Sequence, residues 1–149
     1  MFSMANEAVI IELTGQPKGR PRTYTVAPPF ACEKGTLLFL EDARTVSGAF
    51  VTGGKNPKAF AGIASTECVS GETTIGAWTE GTFDLTHATQ AGKVAKAGEM
   101  VVSSGANLIC PMFRNTVSGQ AVELISGCLI GKALETASSA EVINVAINV

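Results

Sequence analysis

The sequence predicts a mainly β protein, a small β-barrel or β-sandwich with short turns, little helix and an extended N-terminal arm. Three observations lead to this prediction. Apolar and polar residues alternate in several short segments, which is the period-2 pattern of strands with one buried face. Glycines fall at or near the ends of these segments, where turns need positive φ. No long segment carries a strong helical pattern. Many short strands spaced in this way are typical of barrels and sandwiches.

Candidate strands cover much of the chain. Alternation is clear at the C terminus, where Ile143, Val145 and Ile147 share one face. Because an unpaired terminal strand is prone to aggregate, we expect this strand to close a sheet, either within this chain or against a neighbouring subunit. The candidates are Ala8–Leu13, Arg22–Val26, Thr36–Leu40, Phe60–Ala64, Thr73–Trp78, Thr82–Thr86, Met100–Val102, Leu108–Cys110, Leu129–Leu134 and Val142–Val149.

The remaining segments predict little regular structure. His87–Ala97 allows one short helix or turn, because Gly92 interrupts its helical pattern. Two segments look irregular, namely Gln16–Pro21 with its prolines and the long connection Glu41–Ala59, and long connections are often mobile or functional. No internal repeat is evident in the sequence.

The chain of 149 residues predicts one domain with an arm. We assign residues 1–24 to the N-terminal arm and first strand, and residues 25–149 to a β-rich domain. Two alternatives stay open for the arm. It could add a strand to a neighbouring subunit, or it could be the first strand of its own barrel.

Composition favours a protein with part of its apolar surface against a partner. Hydrophobic residues make up 46% of the chain and charged residues 16%, which is below the roughly 25% typical of soluble domains. The net charge of −2 and the scattered basic residues argue against nucleic acid as the main partner. No apolar run approaches the ~18 residues of a membrane span, so we predict no membrane partner.

The four cysteines are predicted to be free. Cys32, Cys68, Cys110 and Cys128 lie far apart in sequence and show no zinc-finger spacing. Two disulfides are possible by count. Buried thiols in a protein made in a reducing cytosol are the favoured interpretation.

The residues do not suggest catalysis, a metal or a cofactor. His87 is the single histidine, and no nucleophile lies in a strained turn of the kind that serine hydrolases use. We therefore expect His87 to be a surface or loop histidine. Neither a calcium loop nor a Walker phosphate loop is present. An enzyme that uses His87 with Asp84 or Glu80 is kept as the alternative hypothesis.

One basic cluster has two interpretations. Lys18, Arg20 and Arg22 lie among prolines and glycine on a stiff segment. They could dock an acidic protein surface, or they could form a solvated turn, and exposed charges of this kind usually contribute little. Tyr24 and Trp78 fall in candidate strands, where packing in a core or an interface is expected.

Several segments together resemble the capsid-cement, or head-decoration, proteins of tailed bacteriophages and related viruses. They run in order over nearly the whole chain, and only 49–58 fits poorly. The segments are MANEAVIIEL from Met4, GQPKGRPRTYTVA from Gly15, EKGTLLFLEDART from Glu33, FAGIA from Phe60 and IGKALETASSAEVINVAINV from Ile130.

The resemblance implies a virion structural protein without enzymatic activity or cofactor, made in the host cytoplasm. It would bind the outer surface of the mature capsid and stabilise the shell by bridging copies of the major capsid protein. The resemblance also implies a homotrimer with an N-terminal arm over neighbouring subunits. A tail or baseplate structural protein is an alternative with similar composition. We expect the contacts to lie on Met4, Val9, Ile11, Leu13, Lys18, Arg20, Arg22 and Tyr24.

Overall fold

The computed structural model describes residues 7–12, 21–26, 30–48, 51–52, 56–57, 59–88, 95–103, 107–111, 129–137 and 141–148. These residues form strands joined by turns, and no helix occurs among them. The strands are β1 (Val9–Glu12), β2 (Arg22–Val26), β3 (Leu37–Asp42), β4 (Thr45–Ser47), β5 (Val51–Thr52), β6 (Asn56–Pro57), β7 (Phe60–Ala64), β8 (Thr74–Trp78), β9 (Glu80–His87), β10 (Met100–Ser103), β11 (Leu108–Pro111), β12 (Leu129–Ala133) and β13 (Val142–Asn148).

The prediction of a mainly β fold is confirmed, and every candidate strand has a counterpart. The expectation of an irregular connection over Glu41–Ala59 is wrong in part. That segment contains β4 and a small hairpin of β5 and β6. These strands have two or three residues each, too few to show alternation. The helical turn considered over His87–Ala97 is absent at its described ends, where His87 ends β9 and 95–97 leads into a turn.

Five strands form a closed barrel in the order β2-β4-β3-β7-β8. The β2–β4 pair is parallel and the other pairs are antiparallel. We call this the first barrel. Closure removes free sheet edges, which is how small all-β domains avoid aggregation.

The second sheet also closes. Its strands follow the order β9-β11-β10-β12-β13, and β13 pairs back with β9 over seven residue pairs. Again one pair, β9–β11, is parallel and the others are antiparallel. This is the second barrel. Only Thr79 separates the last strand of the first barrel from β9.

The two barrels have the same topology. In each, the first strand in sequence pairs in parallel with the third, and the ring runs first, third, second, fourth, fifth. Their registers agree as well. Gly62 is paired with Leu38 in the first barrel, and Gly131 with Val101 in the second. Immediately after these pairs both ladders shift register, as a β-bulge does.

The turns before the second strands repeat too. Gly35 and Gly98 both have φ of 91°. The Gly35 amide donates to the Ala64 carbonyl at 2.9 Å, and the Gly98 amide donates to the Ala133 carbonyl at 2.8 Å. Residues 22–78 and 83–146 are therefore two copies of one structural unit, although the sequence shows no evident repeat.

Each barrel has its own interior. The first is filled by Tyr24, Val26, Cys32, Leu38, Val46, Ala61, Ala64, Cys68, Ile75 and Ala77. The counterparts in the second are Leu85, His87, Ala95, Val101, Ile109, Ile130, Ala133, Ala137, Ile143 and Val145, and all of them are buried. Each of the ten residues of the first interior therefore has a buried counterpart in the second barrel.

The barrels meet through a shared apolar cluster. Four buried residues of β3 and β7 belong to this cluster and not to the first interior; these are Leu37, Phe39, Phe60 and Ile63, which we call the first-barrel wall. The same cluster contains Phe83 and Ile147, from the end of the second barrel where β9 begins and β13 ends. The Leu37 amide also donates to Asn107 Oδ1 at 2.9 Å.

Cys32, Cys68 and Cys110 are buried and carry reduced thiols, as predicted; Cys128 lies outside the described residues. Cys32 and Cys68 face each other in a bridge, with amide-to-carbonyl distances of 2.9 and 2.8 Å. Burial, reinforced by the neighbouring Cys68, raises the pKa of the Cys32 thiol to about 11 from 9.0. Thiolate at this position is therefore disfavoured in the folded state.

We expect alkaline pH to destabilise the wild type more than Cys32→Ala. Because the folded-state pKa is raised, the thiol contributes stability that is complete below pH 9.0 and is lost as pH rises through about 11. Urea unfolding at pH about 8 and about 10.5 measures this loss. Alanine is tolerated at the counterpart position, Ala95, so the variant should fold. Equal losses in the two proteins would contradict the assignment.

Candidate interaction surface

An N-terminal segment, Glu7–Glu12, ties the two barrels together. The Ala8 amide donates to the Gly35 carbonyl of the first barrel at 2.6 Å. β1 then pairs antiparallel with β9 of the second barrel, with Val9 opposite Asp84. The sequence left open whether this strand adds to a neighbouring subunit or begins its own barrel. In the structure β1 pairs within its own chain, with β9, and it is not a member of either closed barrel.

The close approach of this segment requires glycine at position 35. A Cβ atom built there would lie 2.2 Å from the Ala8 carbonyl oxygen, well inside contact distance. The φ of 91° also favours glycine. A Cβ atom built at the counterpart Gly98 would have no atom of the described residues within 4 Å, apart from its chain neighbours. The N-terminal segment therefore occupies a site on the first barrel that no described residue occupies on the second.

β1 presents an edge to a partner. Among the described residues it pairs on one side only, with β9, and a register shift lies between Ile10 and Glu12. Val9 is 57% exposed, the largest value among the exposed large apolar residues. An unpaired edge beside an exposed apolar side chain is the kind of site to which an extended segment of another protein adds.

A groove of about 500 Å³ runs beside this segment, lined by residues that include Glu7, Lys34 and Ile63. Glu7 Oε1 is buried and has no hydrogen-bond partner among the described residues. Since buried polar atoms are usually paired, this oxygen is an exception among the described residues beside the groove.

The predicted contact residues fall in different places. Val9 and Arg22 are exposed. Tyr24 is buried in the first barrel, where its hydroxyl donates to the Ala61 carbonyl at 3.3 Å, and it lines the floor of a groove with Arg22. Ile11 lies in β1. The others, Met4, Leu13, Lys18 and Arg20, lie outside the described residues. Sequence patterns alone did not indicate Glu7, Lys34 or Gly35, because their role depends on the fold.

His87 is a buried strand residue, so the expectation of a surface or loop position is wrong. Its side chain is 0% exposed. Nδ1 lies 2.8 Å from the Ala88 carbonyl oxygen, and the Ala95 amide donates to Nε2 at 3.2 Å. These contacts fix Nδ1 as the protonated nitrogen, since a carbonyl oxygen can only accept.

The alternative enzyme site is not assembled around His87. Residues 84 and 87 are an odd number of positions apart on β9, so their side chains leave opposite faces of the strand. Asp84 instead accepts a hydrogen bond from Asn144 Nδ2 on the adjacent strand. Glu80 is exposed at the far end of β9. The three groups therefore do not converge on a common point.

The described residues contain no group of three or more His, Cys, Asp or Glu that could hold a metal ion. No helix long and apolar enough to span a bilayer occurs in the part of the chain that the structure describes. What the described residues present is an all-β scaffold with an exposed strand edge and shallow grooves. These features are typical of a protein that works by contact with other proteins.

The comparison with protein families agrees with a protein that works by contact with other proteins. A family model described as phage cement protein matches residues 20–149. The chain therefore belongs to the phage cement protein family, as its sequence segments indicated. A search of curated proteins found no match. The family is a structural one associated with phage capsids, which places the protein in the virion with a capsid-associated structural role.

Proposed function

We propose that this protein binds the outer surface of the mature capsid and stabilises it by bridging neighbouring copies of the major capsid protein. A ligand that binds only the assembled lattice stabilises that lattice by mass action. Family membership supports the capsid as the partner. The observation that carries the proposal is the N-terminal segment, which is anchored on both barrels and still has an exposed edge.

The remaining parts of the proposal follow from the same surface. The protein acts as a homotrimer, synthesised in the host cytoplasm, where its buried thiols stay reduced. Residues before Glu7 form the part of the arm that reaches over neighbouring subunits, with Val9 and Arg22 at the contact. The chemistry is association alone, without a catalytic site, a cofactor or nucleic acid. A position on the tail or baseplate is the second candidate, and cryo-electron microscopy of virions distinguishes the two.

We expect deletion of residues 1–6 to weaken capsid binding at least about tenfold, because it removes the reach of the arm. The deletion leaves β1 and Ala8 in place, so the melting temperature should stay within about 2 °C. Binding is measured by saturation of undecorated, expanded capsids followed by sedimentation. Deletion of residues 1–13 is the informative comparison, since it also removes β1 and should lower the melting temperature. Unchanged affinity of the shorter deletion would refute the arm contact.

A further inference from the structure

The repeat allows the two surfaces that meet between the barrels to be compared with the corresponding surfaces elsewhere on the chain. Within the chain, the first-barrel wall packs against the end of the second barrel. Because the barrels share one topology and register, each of these two surfaces has a counterpart on the other barrel. Within the part of the chain that the structure describes, neither counterpart is covered in the same way.

The counterpart of the first-barrel wall is on β10 and β12. Met100, Leu129 and Lys132 correspond to Leu37, Phe60 and Ile63, and we call them the second-barrel wall. Leu129 is 37% exposed, and Leu134, just after the other end of β12, is 48% exposed, whereas Phe60 is 4% exposed. The three wall residues and Leu134 line a groove of about 420 Å³. The fourth counterpart, Val102, is buried.

The counterpart of the covered end is on the first barrel. Arg22, Tyr24, Leu40 and Arg44 line a groove of about 350 Å³, which we call the first-barrel end. By register they correspond to Phe83, Leu85, Ser103 and Asn107. Arg44 and Asn107 also share the same unusual backbone, with φ of 56° in both. The two open surfaces are thus the two halves of an interface that the chain already forms once internally.

We propose that copies of the chain associate head to tail, with the second-barrel wall of one copy covering the first-barrel end of the next. The partner that binds the second-barrel wall is a second copy of this chain, because each copy also carries a first-barrel end. An interface between two different patches repeats around a ring or along a filament. Three copies closing a ring would bring six similar barrels around a threefold axis.

A pair of exchanged residues supports this arrangement. Inside the chain, Asn107 accepts the Leu37 amide, and Thr36 precedes Leu37. At the counterpart contact Arg44 takes the place of Asn107, and Glu99 takes the place of Thr36. Arg44, which also donates to the Thr23 carbonyl, thus puts a positive charge on the first-barrel end. Glu99, which also accepts the Lys96 amide, puts a negative charge beside Met100 of the second-barrel wall. Opposite charges at a rim steer association and fix its register.

This inference deepens the proposed self-association and rests on the trimer in that proposal, but its test does not involve a capsid. Sedimentation velocity over a concentration series, at low ionic strength, reports the mass directly. We expect the wild type to approach the mass of three copies. Leu129→Glu should raise the dissociation constant at least about tenfold, because it buries a charge in the apolar groove. Val69→Glu is the matched control: it changes a residue that is 43% exposed outside both surfaces and should leave the mass unchanged.

A charge exchange tests the orientation. Arg44→Glu and Glu99→Arg should each weaken association, and the double variant should restore it to within about threefold of the wild type. Circular dichroism melting of each variant confirms that it is folded. A wild type that stays monomeric, a mass that stops at two copies, or equal effects of Leu129→Glu and Val69→Glu would each overturn the proposal. Normal capsid binding by a monomeric protein would refute the head-to-tail contact alone and leave the proposed function standing.

Discussion

Gly131→Ala is expected to reduce the free energy of unfolding by about 4 kcal/mol or more, a large part of the 5–15 kcal/mol typical of a domain. A Cβ atom at this position would lie 2.1 Å from the Ala146 carbonyl oxygen and 3.2 Å from Ile147 Cα. Both atoms belong to the backbone of β13, so no side chain can move aside. The substitution must push β12 and β13 apart, and β13 is the strand that closes the second barrel.

Urea unfolding followed by circular dichroism measures this loss. Gly71→Ala is the matched control, since Gly71 has φ of 100° but a Cβ atom there would meet no atom of the described residues within 4 Å. Its cost should be limited to the backbone conformation, about 1 kcal/mol. Gly62→Ala should follow Gly131→Ala, because its Cβ atom would lie 2.6 Å from the Trp78 carbonyl oxygen. Similar small losses at positions 71 and 131 would show that close strand approach is not what requires glycine.

Phe60→Ala should lower the free energy of unfolding by about 3–5 kcal/mol. Phe60 is 4% exposed in the cluster between the barrels, and its ring centroid lies 5.8 Å from that of Phe39. Truncation leaves a cavity that rigid strands on both sides cannot fill. The loss is expected to appear in the transition midpoint from urea or heat, with the two barrels still unfolding together.

Leu129→Ala is the internal comparison for that experiment, because Leu129 holds the same position in the second barrel. It is 37% exposed, so at low protein concentration the truncation should cost only about 1 kcal/mol. The difference between the two losses in free energy of unfolding measures how much packing against the other barrel contributes to stability. If Leu129→Ala were as damaging as Phe60→Ala, the second-barrel wall would already be covered within one chain.

The sequence predicted the strand content well because alternation depends on a single buried face. Phe83, Leu85, Ile143, Val145 and Ile147 all point inward as their spacing indicated. The sequence predicted less about strands that are buried on both faces, because such strands show no alternation. β7 is buried at every position, since Ala61 and Ala64 fill a barrel while Phe60 and Ile63 pack outward on the other barrel.

The repeat could not be seen in the sequence, since inward positions need only suitable volume. Cys32 and Cys68 correspond to Ala95 and Ala137, and Val26 corresponds to His87, so the residue types differ although the positions agree. Counterpart residues of the two barrels are identical mainly where the backbone requires a small residue. The identical pairs include Gly35 with Gly98, Gly62 with Gly131, and Ala64 with Ala133.

The candidate surface was only partly predictable for a related reason. The emphasis on the N-terminal arm rested on its apolar strand, and the structure shows Val9 exposed on that strand. The grooves, by contrast, are built by residues that are distant in sequence. Arg22 and Arg44 share a groove only because β2 and β4 lie side by side.

The position of β9 sets an order of events during synthesis on the ribosome. All strands of the first barrel lie within residues 22–78, so this barrel can close before the rest of the chain has emerged. β1 precedes the first barrel in the chain, yet its partner β9 follows that barrel, and β9 in turn pairs with β13, the last strand of the second barrel. The nascent chain therefore carries β1 without its partner until β9 has emerged, and a chain truncated before β13 would leave the β13-facing edge of β9 unpaired and prone to aggregation.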